Sequence, residues 1–316
     1  MDAKSRLVYL AGITPRSGTN WLYSLILKHP ECRRALGWED YFVRHAEHLS
    51  AYTQGLRRSW KEDWPLHQRG ADSAVLRQFG QGLRRVLACS NDEEGLCDVT
   101  SPEREISGGR LLTKTPSVEG IEQFFTLFPE SHLIILIRDG RSVVESGMRT
   151  FDWSFEQAVH RWRNAARTIL EFDEREEDGL YYIIRYEDLF RDTIGELKDL
   201  LEFLRLDFSA YDFEAAIDTP VRGSSTYGQD DGDVDWAPVE KREDFSPLRR
   251  WDSWSDARLD RFHWIAGEEL RALGYSTERG SRPWRRKMRR GYWELTDRVA
   301  RGIRKVRRGV GRRIVP

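Results

Sequence analysis

"LAGITPRSGTNWLYSLILKHP", residues 10–30, is the stretch that decides the fold. An apolar run that reads as a strand meets Pro15, Arg16 and a Ser17-Gly18-Thr19 turn, after which Trp21, Leu22 and Leu25 begin an apolar face at helical spacing. Strand, turn and helix in this order make a phosphate-binding loop, in which turn N–H groups and the positive end of a helix dipole meet an anion. The nucleotide-hydrolase pattern G-x-x-x-x-G-K-[ST] is absent: Gly12 and Gly18 lie six apart, and Asn20 follows Thr19 where that pattern needs its Gly-Lys-Ser/Thr run. The residues present still suit an anion. Gly18 permits close backbone approach, Arg16 adds a fixed charge and Thr19 a hydroxyl. The competing reading is an ordinary strand-to-helix turn capped by Ser17 or Thr19.

Outward from this loop, strands alternate with helices. Residues 7–13 read as a buried strand and 19–29 as a helix stopped at Pro30. "RLLTKTP", 110–116, is a short strand, and "SVEGIEQFFTLFP", 117–129, reads as a helix. "HLIILI", 132–137, is a continuous apolar run of the kind found when both faces of a parallel sheet are covered. Helical patterns follow in "RDGRSVVESGMRTF" and over 154–173, and "LYYIIRYEDL" from 180 supplies another strand. Residues 41–107 suggest amphipathic helices joined by loops. The expected fold class is α/β, a mainly parallel sheet with helices on both faces, whose ligands bind beyond the carboxyl ends of the strands.

A second strand end offers a matching feature: Arg138 leaves "HLIILI", and Ser146 stands eight residues later on the following helix. A guanidinium can hold a phosphate by two bonds, and a serine adds one more. Together, "PRSGTNW" and the Arg138–Ser146 spacing resemble the sulfotransferases that use 3′-phosphoadenosine-5′-phosphosulfate (PAPS). The likeness continues through "KTP" at 114–116 and "IIRYEDL" at 183–189, then more loosely through "VRGSSTYGQ" at 221–229 and "LRALGY" at 270–275. It implies a P-loop-like sulfotransferase core over residues 1–278. It also implies that Arg16, Ser17, Gly18, Thr19, Asn20 and Trp21 hold the 5′ side of PAPS, and Arg138 and Ser146 the 3′-phosphate. Tyr186 would lie near the adenine, and Arg222, Gly223, Ser224 and Ser225 in the loop that closes over the nucleotide.

Sulfuryl transfer is close in physics to phosphoryl transfer: charge spreads over equatorial and leaving oxygens, and the protein positions and neutralises. Arg16 and Lys114 are the cations placed to do so, and no metal is expected. The acceptor hydroxyl benefits from a base. The chain lacks the histidine that cytosolic small-molecule sulfotransferases carry after the Lys-Thr segment. The tyrosylprotein and carbohydrate branches instead use a glutamate soon after the first helix, and "HPECRRALGWEDYF" offers Glu39 or Asp40, with Glu39 preferred. A saccharide, glycolipid or similar hydroxyl compound is the expected acceptor. A nucleotide-dependent kinase is the rival enzyme, and a non-catalytic polyanion-binding protein the rival of a different class.

Composition sets the remaining expectations. Hydrophobic residues make up 39% of 316, enough for a substantial core. The three cysteines, Cys32, Cys89 and Cys97, show no C-x-x-C spacing, so neither a disulfide framework nor a zinc site is expected. Without a secretory signal or a long apolar span, a cytoplasmic location is expected. The net charge of −1 conceals an asymmetry: residues 279–316 hold 15 Arg or Lys against two acids, and that +13 leaves −14 on residues 1–278. Apolar residues recur every three or four positions from Trp284 to Ile314, marking 279–316 as a basic amphipathic C-terminal helix. Its expected role is peripheral contact with the inner face of a membrane. The alternatives are packing on the chain's own body or on a second copy in a homo-oligomer, and a polyanion-binding arm. Nucleic acid is not an expected partner.

Overall fold

The structure is a computed structural model, and it describes residues 7–37, 39–88, 109–176, 179–220, 247–277, 287–291 and 293–294. Five parallel strands form its sheet: β1 (Leu7–Gly12), β2 (Cys32–Arg34), β3 (Arg110–Thr115), β4 (His132–Ile137) and β5 (Tyr181–Arg185), in the order β2-β3-β1-β4-β5. Every residue of β1, β3 and β4 is buried, which explains the apolar runs of β1 and β4; β3 buries polar residues as well, Arg110, Thr113, Lys114 and Thr115. Side chains alternate between two cores. Val8, Leu10, Leu112, Ile134, Leu136 and Ile184 face α1 (Thr19–Ile26) and the later helices α7 (Tyr186–Arg191), α8 (Thr193–Phe203) and α9 (Phe213–Ile217).

The opposite face carries Tyr9, whose ring meets Phe124 of α4 (Phe124–Leu127), and Phe125 of α4 stacks on Phe172 of α6 (Phe155–Asp173). Between α4 and α6 in the chain comes α5 (Gly140–Phe151), and Trp162 of α6 donates to the Arg138 carbonyl just before it. Register brings the strand ends level: Gly12 pairs with Leu136, and Ala11 pairs with both Thr115 and Ile135. The turns beyond β1, β3 and β4 therefore share one rim of the sheet.

Several expected elements changed extent. The first helix ends at Ile26 rather than residue 29, because the chain turns around His29, which bonds the Asp207 carbonyl and accepts from Glu31 N. The helix expected at 117–129 shrinks to a 3-10 turn, 121–123, and the single turn α4. Gly120 breaks it: φ is 79°, and any Cβ there would run into the Val43 carbonyl. The 41–107 region supplies α2 (Ala46–Ser59) and α3 (Ala71–Ala88), as its amphipathic pattern suggested. Strand β2 was missed; "CRR" has no apolar run, and only pairing with β3 makes it a strand.

The chain divides into two compact units, residues 1–250 and 251–316. In the second, α10 (Asp256–Ala272) begins with Ser255 accepting from Arg258 N and is kinked at Ala266. Residues 287–291 are helical and belong to the expected basic extension. Arg289 pairs at 2.8 Å with the buried Asp260, Arg290 lies over the Trp264 ring, and Arg261 lies over Trp293. These contacts with α10 come from residues between the positions of the stripe; its one described member, Met288, is exposed. The rest of it lies outside the described residues, as do Cys89, Cys97, Arg222, Gly223, Ser224 and Ser225. Among the described residues no helix is long and apolar enough to cross a membrane.

Candidate active site

The loop after β1 folds back over its own strand end. A Cβ on Gly12 would fall 2.5 Å from both Ser17 Oγ and Thr19 Cγ2, so only glycine lets the turn close. Arg16 (φ 77°) and Gly18 (φ 100°) both take left-handed backbone, and Gly18 serves as N-cap of α1. No side chain caps this helix, and its first turn holds no acid. That removes the ordinary-turn reading in which Ser17 or Thr19 is the cap. Ser17 Oγ is buried without a hydrogen-bond partner. By contrast α5, starting after β4, is capped by Asp139, which accepts from Arg141 N and is also clasped by the Arg141 guanidinium. An unspent donor end at α1, with an orphaned hydroxyl beside it, suits an anionic ligand.

Arg138 closes the cradle from β4. Its Nη1 donates to the Arg16 carbonyl at 2.8 Å and its Nη2 to the Pro247 carbonyl at 2.6 Å. Its Nε is buried without a partner, and the guanidinium lies 4.1 Å from the centre of the Tyr186 ring. Tyr186 is itself buried, and a Cβ on Gly18 would fall 2.5 Å from its ring. Trp21 meets the same ring edge-on at 5.7 Å between centroids. Arg138 therefore does not pair with Asp139, the bland alternative for an arginine at a strand end; Asp139 is taken by Arg141. Ser146, two turns along α5, accepts from Arg16 Nε at 3.1 Å. This one bond joins residues that the sequence assigned to opposite ends of the donor.

A third guanidinium was not foreseen. Arg250, in "PLRR" at 247–250, sits close enough to Arg138 and Arg16 to matter electrostatically. Burial first, then repulsion from Arg250 and Arg138, pulls Arg16 down to about 10; burial first, then Arg138, pulls Arg250 down to about 10. Three cations drawn together out of water disfavour one another's charge, and a bound dianion relieves that strain. No fixed spacing from the loop announces Arg250, so sequence reasoning had no signal for it.

Two strands from β4, the end of β3 carries the second half of the site. Lys114 is 1% exposed, not the solvated strand-end lysine its position allows. Burial lowers its pKa from the usual lysine value; the hydrogen bond and charge of Glu39 and the charge of Asp40 oppose that, and Arg34 adds to it. Its Nζ donates to Glu39 Oε1 at 2.8 Å, and Tyr41 Oη donates to Glu39 Oε2 at 2.5 Å.

Asp40 is a different kind of acid. It accepts from Tyr9 Oη, Thr113 Oγ1, Thr115 Oγ1 and Phe42 N, and burial raises its pKa despite those bonds. Asp40 is thus a sealed staple between the 39–42 segment and β3, whereas Glu39 keeps a partly exposed carboxylate beside a buried ammonium. Chemically, the arrangement offers an anion cradle at β1 and β4 and a carboxylate–ammonium pair at β3. Among the described residues no cluster of three or more His, Cys, Asp or Glu could hold a metal ion.

Comparison with known proteins agrees with this geometry. Residues 12–210 match the family model of the Sulfotransferase family. The chain is 22% identical over 209 residues to protein-tyrosine sulfotransferase A of Caenorhabditis elegans, covering 63% of this chain and 50% of that one. It is 24% identical over 211 residues to protein-tyrosine sulfotransferase 1 of Danio rerio, covering 64% and 54%. The match thus spans about half the length of these relatives. Among solved structures, the sulfotransferase domain of the Synechococcus PCC 7002 olefin synthase superposes with a TM-score of 0.51 at 19% identity, covering 86% of this chain and 95% of that domain, a likeness of fold. With the match running from the end of its first strand through the rest of the sheet to residue 210, this chain belongs to the sulfotransferase family.

Proposed function

We propose that the protein transfers the sulfuryl group of PAPS to an acceptor hydroxyl. The observation that carries this reading is the convergence of Arg16, Arg138 and Ser146 on one cradle whose helix end is left uncapped. The orphaned Ser17 hydroxyl and the Gly18 backbone, together with the other residues of the 16–21 loop, fit the 5′ side of the donor. Arg138, Ser146 and Arg250 fit its 3′-phosphate, and Tyr186 packs where the loop and Arg138 meet. PAPS supplies an activated sulfuryl group on a phosphate leaving group. Arg16 and Lys114 neutralise charge that builds on the transferring and leaving oxygens. Glu39 takes the acceptor proton as the acceptor oxygen forms its bond to sulfur and the bond from sulfur to the leaving phosphate oxygen breaks. The products are a sulfate ester and adenosine 3′,5′-bisphosphate.

The acceptor carries a hydroxyl. The names of the matched relatives support a tyrosine phenol, while no described residue speaks for the saccharide or lipid-linked acceptor expected from the sequence. The decisive experiment is thermal stabilisation by adenosine 3′,5′-bisphosphate compared with ATP and Mg²⁺, followed by turnover of radiolabelled PAPS on pooled phenols, tyrosine peptides and saccharides. Stabilisation by ATP with Mg²⁺ and none by the bisphosphate overturns the reading in favour of a kinase.

A further inference from the structure

Tyr41 belongs to neither half of the site as the sequence reads it, yet it makes one of the two shortest hydrogen bonds there. Its Oη donates to Glu39 Oε2 at 2.5 Å while Lys114 Nζ holds Oε1 at 2.8 Å, so the carboxylate is gripped at both oxygens. The backbone is arranged to put the phenol there. Tyr41 takes φ 54°, the left-handed region that a side chain other than glycine or asparagine rarely adopts. Its N–H donates to Thr115 Oγ1 at 3.0 Å, and the preceding Asp40 is tied to β3 through Thr113 and Thr115. A strained residue held from both sides, its side chain aimed at the one partly exposed carboxylate beside a buried lysine, has the marks of a functional constraint. Burial, followed by the Glu39 hydrogen bond, pushes the phenol up to about 12, so it stays protonated and donating through the neutral range.

The geometry points to Tyr41 as a positioning residue for Glu39: its phenol fixes the carboxylate rotamer so that the acceptor hydroxyl meets a preoriented oxygen. This rests on Glu39 being the base. A donor that locks one rotamer removes the need to order the carboxylate during the reaction, and its effect belongs in kcat rather than in donor binding. Tyr41 acts only through Glu39, so its removal should cost nothing once Glu39 is gone.

The test is a cycle of Tyr41→Phe, Glu39→Ala and the double variant, with PAPS turnover, acceptor KM and the affinity for adenosine 3′,5′-bisphosphate measured on each. Tyr41→Phe should lower kcat roughly tenfold, the size of one hydrogen bond to a charged group, with acceptor KM and bisphosphate affinity within about twofold. In the Glu39→Ala background the same change should alter kcat less than about twofold. A full additive loss in the double variant, or wild-type kcat in Tyr41→Phe, overturns the inference. Full activity in Glu39→Ala overturns the assignment of the base instead, so the two failures are told apart. Should Tyr41→Phe fold poorly, Tyr41→Trp, which keeps an aromatic ring without the hydroxyl, must show the same loss of kcat.

Discussion

Replacing Arg138 with alanine tests the donor cradle where its physics is most constrained. The guanidinium holds two carbonyls, those of Arg16 and Pro247, rests on the Tyr186 ring, and keeps one buried N–H, Nε, for a further partner. One charge-assisted bond to a phosphate contributes about 1.5–3 kcal/mol net. At about 1.4 kcal/mol per tenfold, that is a loss of roughly 10- to 150-fold in affinity for adenosine 3′,5′-bisphosphate. The assay is calorimetric titration of wild type and Arg138→Ala with this ligand and with adenosine 5′-phosphate, which lacks the 3′ group. Only the bisphosphate should lose affinity on that scale. Arg138→Lys, which keeps the charge but not the planar fork, should fall between. The alanine variant should also unfold earlier, because two carbonyls lose their donor at about 1–3 kcal/mol each where no water replaces it; titrations belong well below its Tm. Equal loss for both ligands would show that Arg138 merely supports the Arg16 loop, and would refute its assignment to the 3′-phosphate.

Glu39→Ala should lower turnover by about 10²–10⁴-fold with bisphosphate affinity retained, while Asp40→Asn should act mainly on stability, by about 1–3 kcal/mol in chemical denaturation. The reverse pattern would move the base to Asp40. Gly18→Ala forces a side chain into left-handed backbone and against the Tyr186 ring, so it should destabilise by about 2 kcal/mol or more and weaken bisphosphate binding; a thermal melt that does not move would refute that packing. Lys114 must be protonated to act as a cation, and burial depresses its pKa. Activity should therefore be full below that depressed value and fall above it, at lower pH than an ordinary lysine would give. Arg34→Ala removes a charge that lowers Lys114 further, so the alkaline limb of kcat should move to higher pH. A limb that stays put, or moves down, would mean another group sets it.

Legibility in the sequence followed the range of the physics. "HLIILI" and the 10–30 stretch showed their elements because burial on both faces and helical spacing are local signals, and β1, β4, α1 and α6 stand close to where those signals put them. β2 was invisible since three residues, two of them arginine, become a strand only through pairing with β3. Gly120 stopped the expected 117–129 helix by a long-range contact with Val43 that no periodicity encodes. In the site, Arg16, Gly18, Arg138 and Ser146 were legible as motif members. The distinction between Glu39 and Asp40 was not, because adjacent acids in a sequence differ only by which of them the fold seals. Arg250 and Tyr41 could not be found at all: the first is brought in from far along the chain, and the second matters through a backbone angle.

On the proposed reading, the register of the sheet works as a ruler for the donor. Gly12 stands level with Leu136, so the turn carrying Arg16 and the strand exit carrying Arg138 are held about one interstrand spacing apart, roughly 4.8 Å. Slipping β4 by a single residue would carry Arg138 about 3.3 Å along the strand and to the other face. The span between the two anion-gripping ends is thus calibrated by backbone pairing, which side-chain variation does not rewrite. The Glu39–Lys114 pair, the proposed proton-taking end, hangs from β3, on the other side of β1, through the Asp40 staple. Its lining can be remodelled toward a new acceptor while the measuring edge for the donor stays as it is.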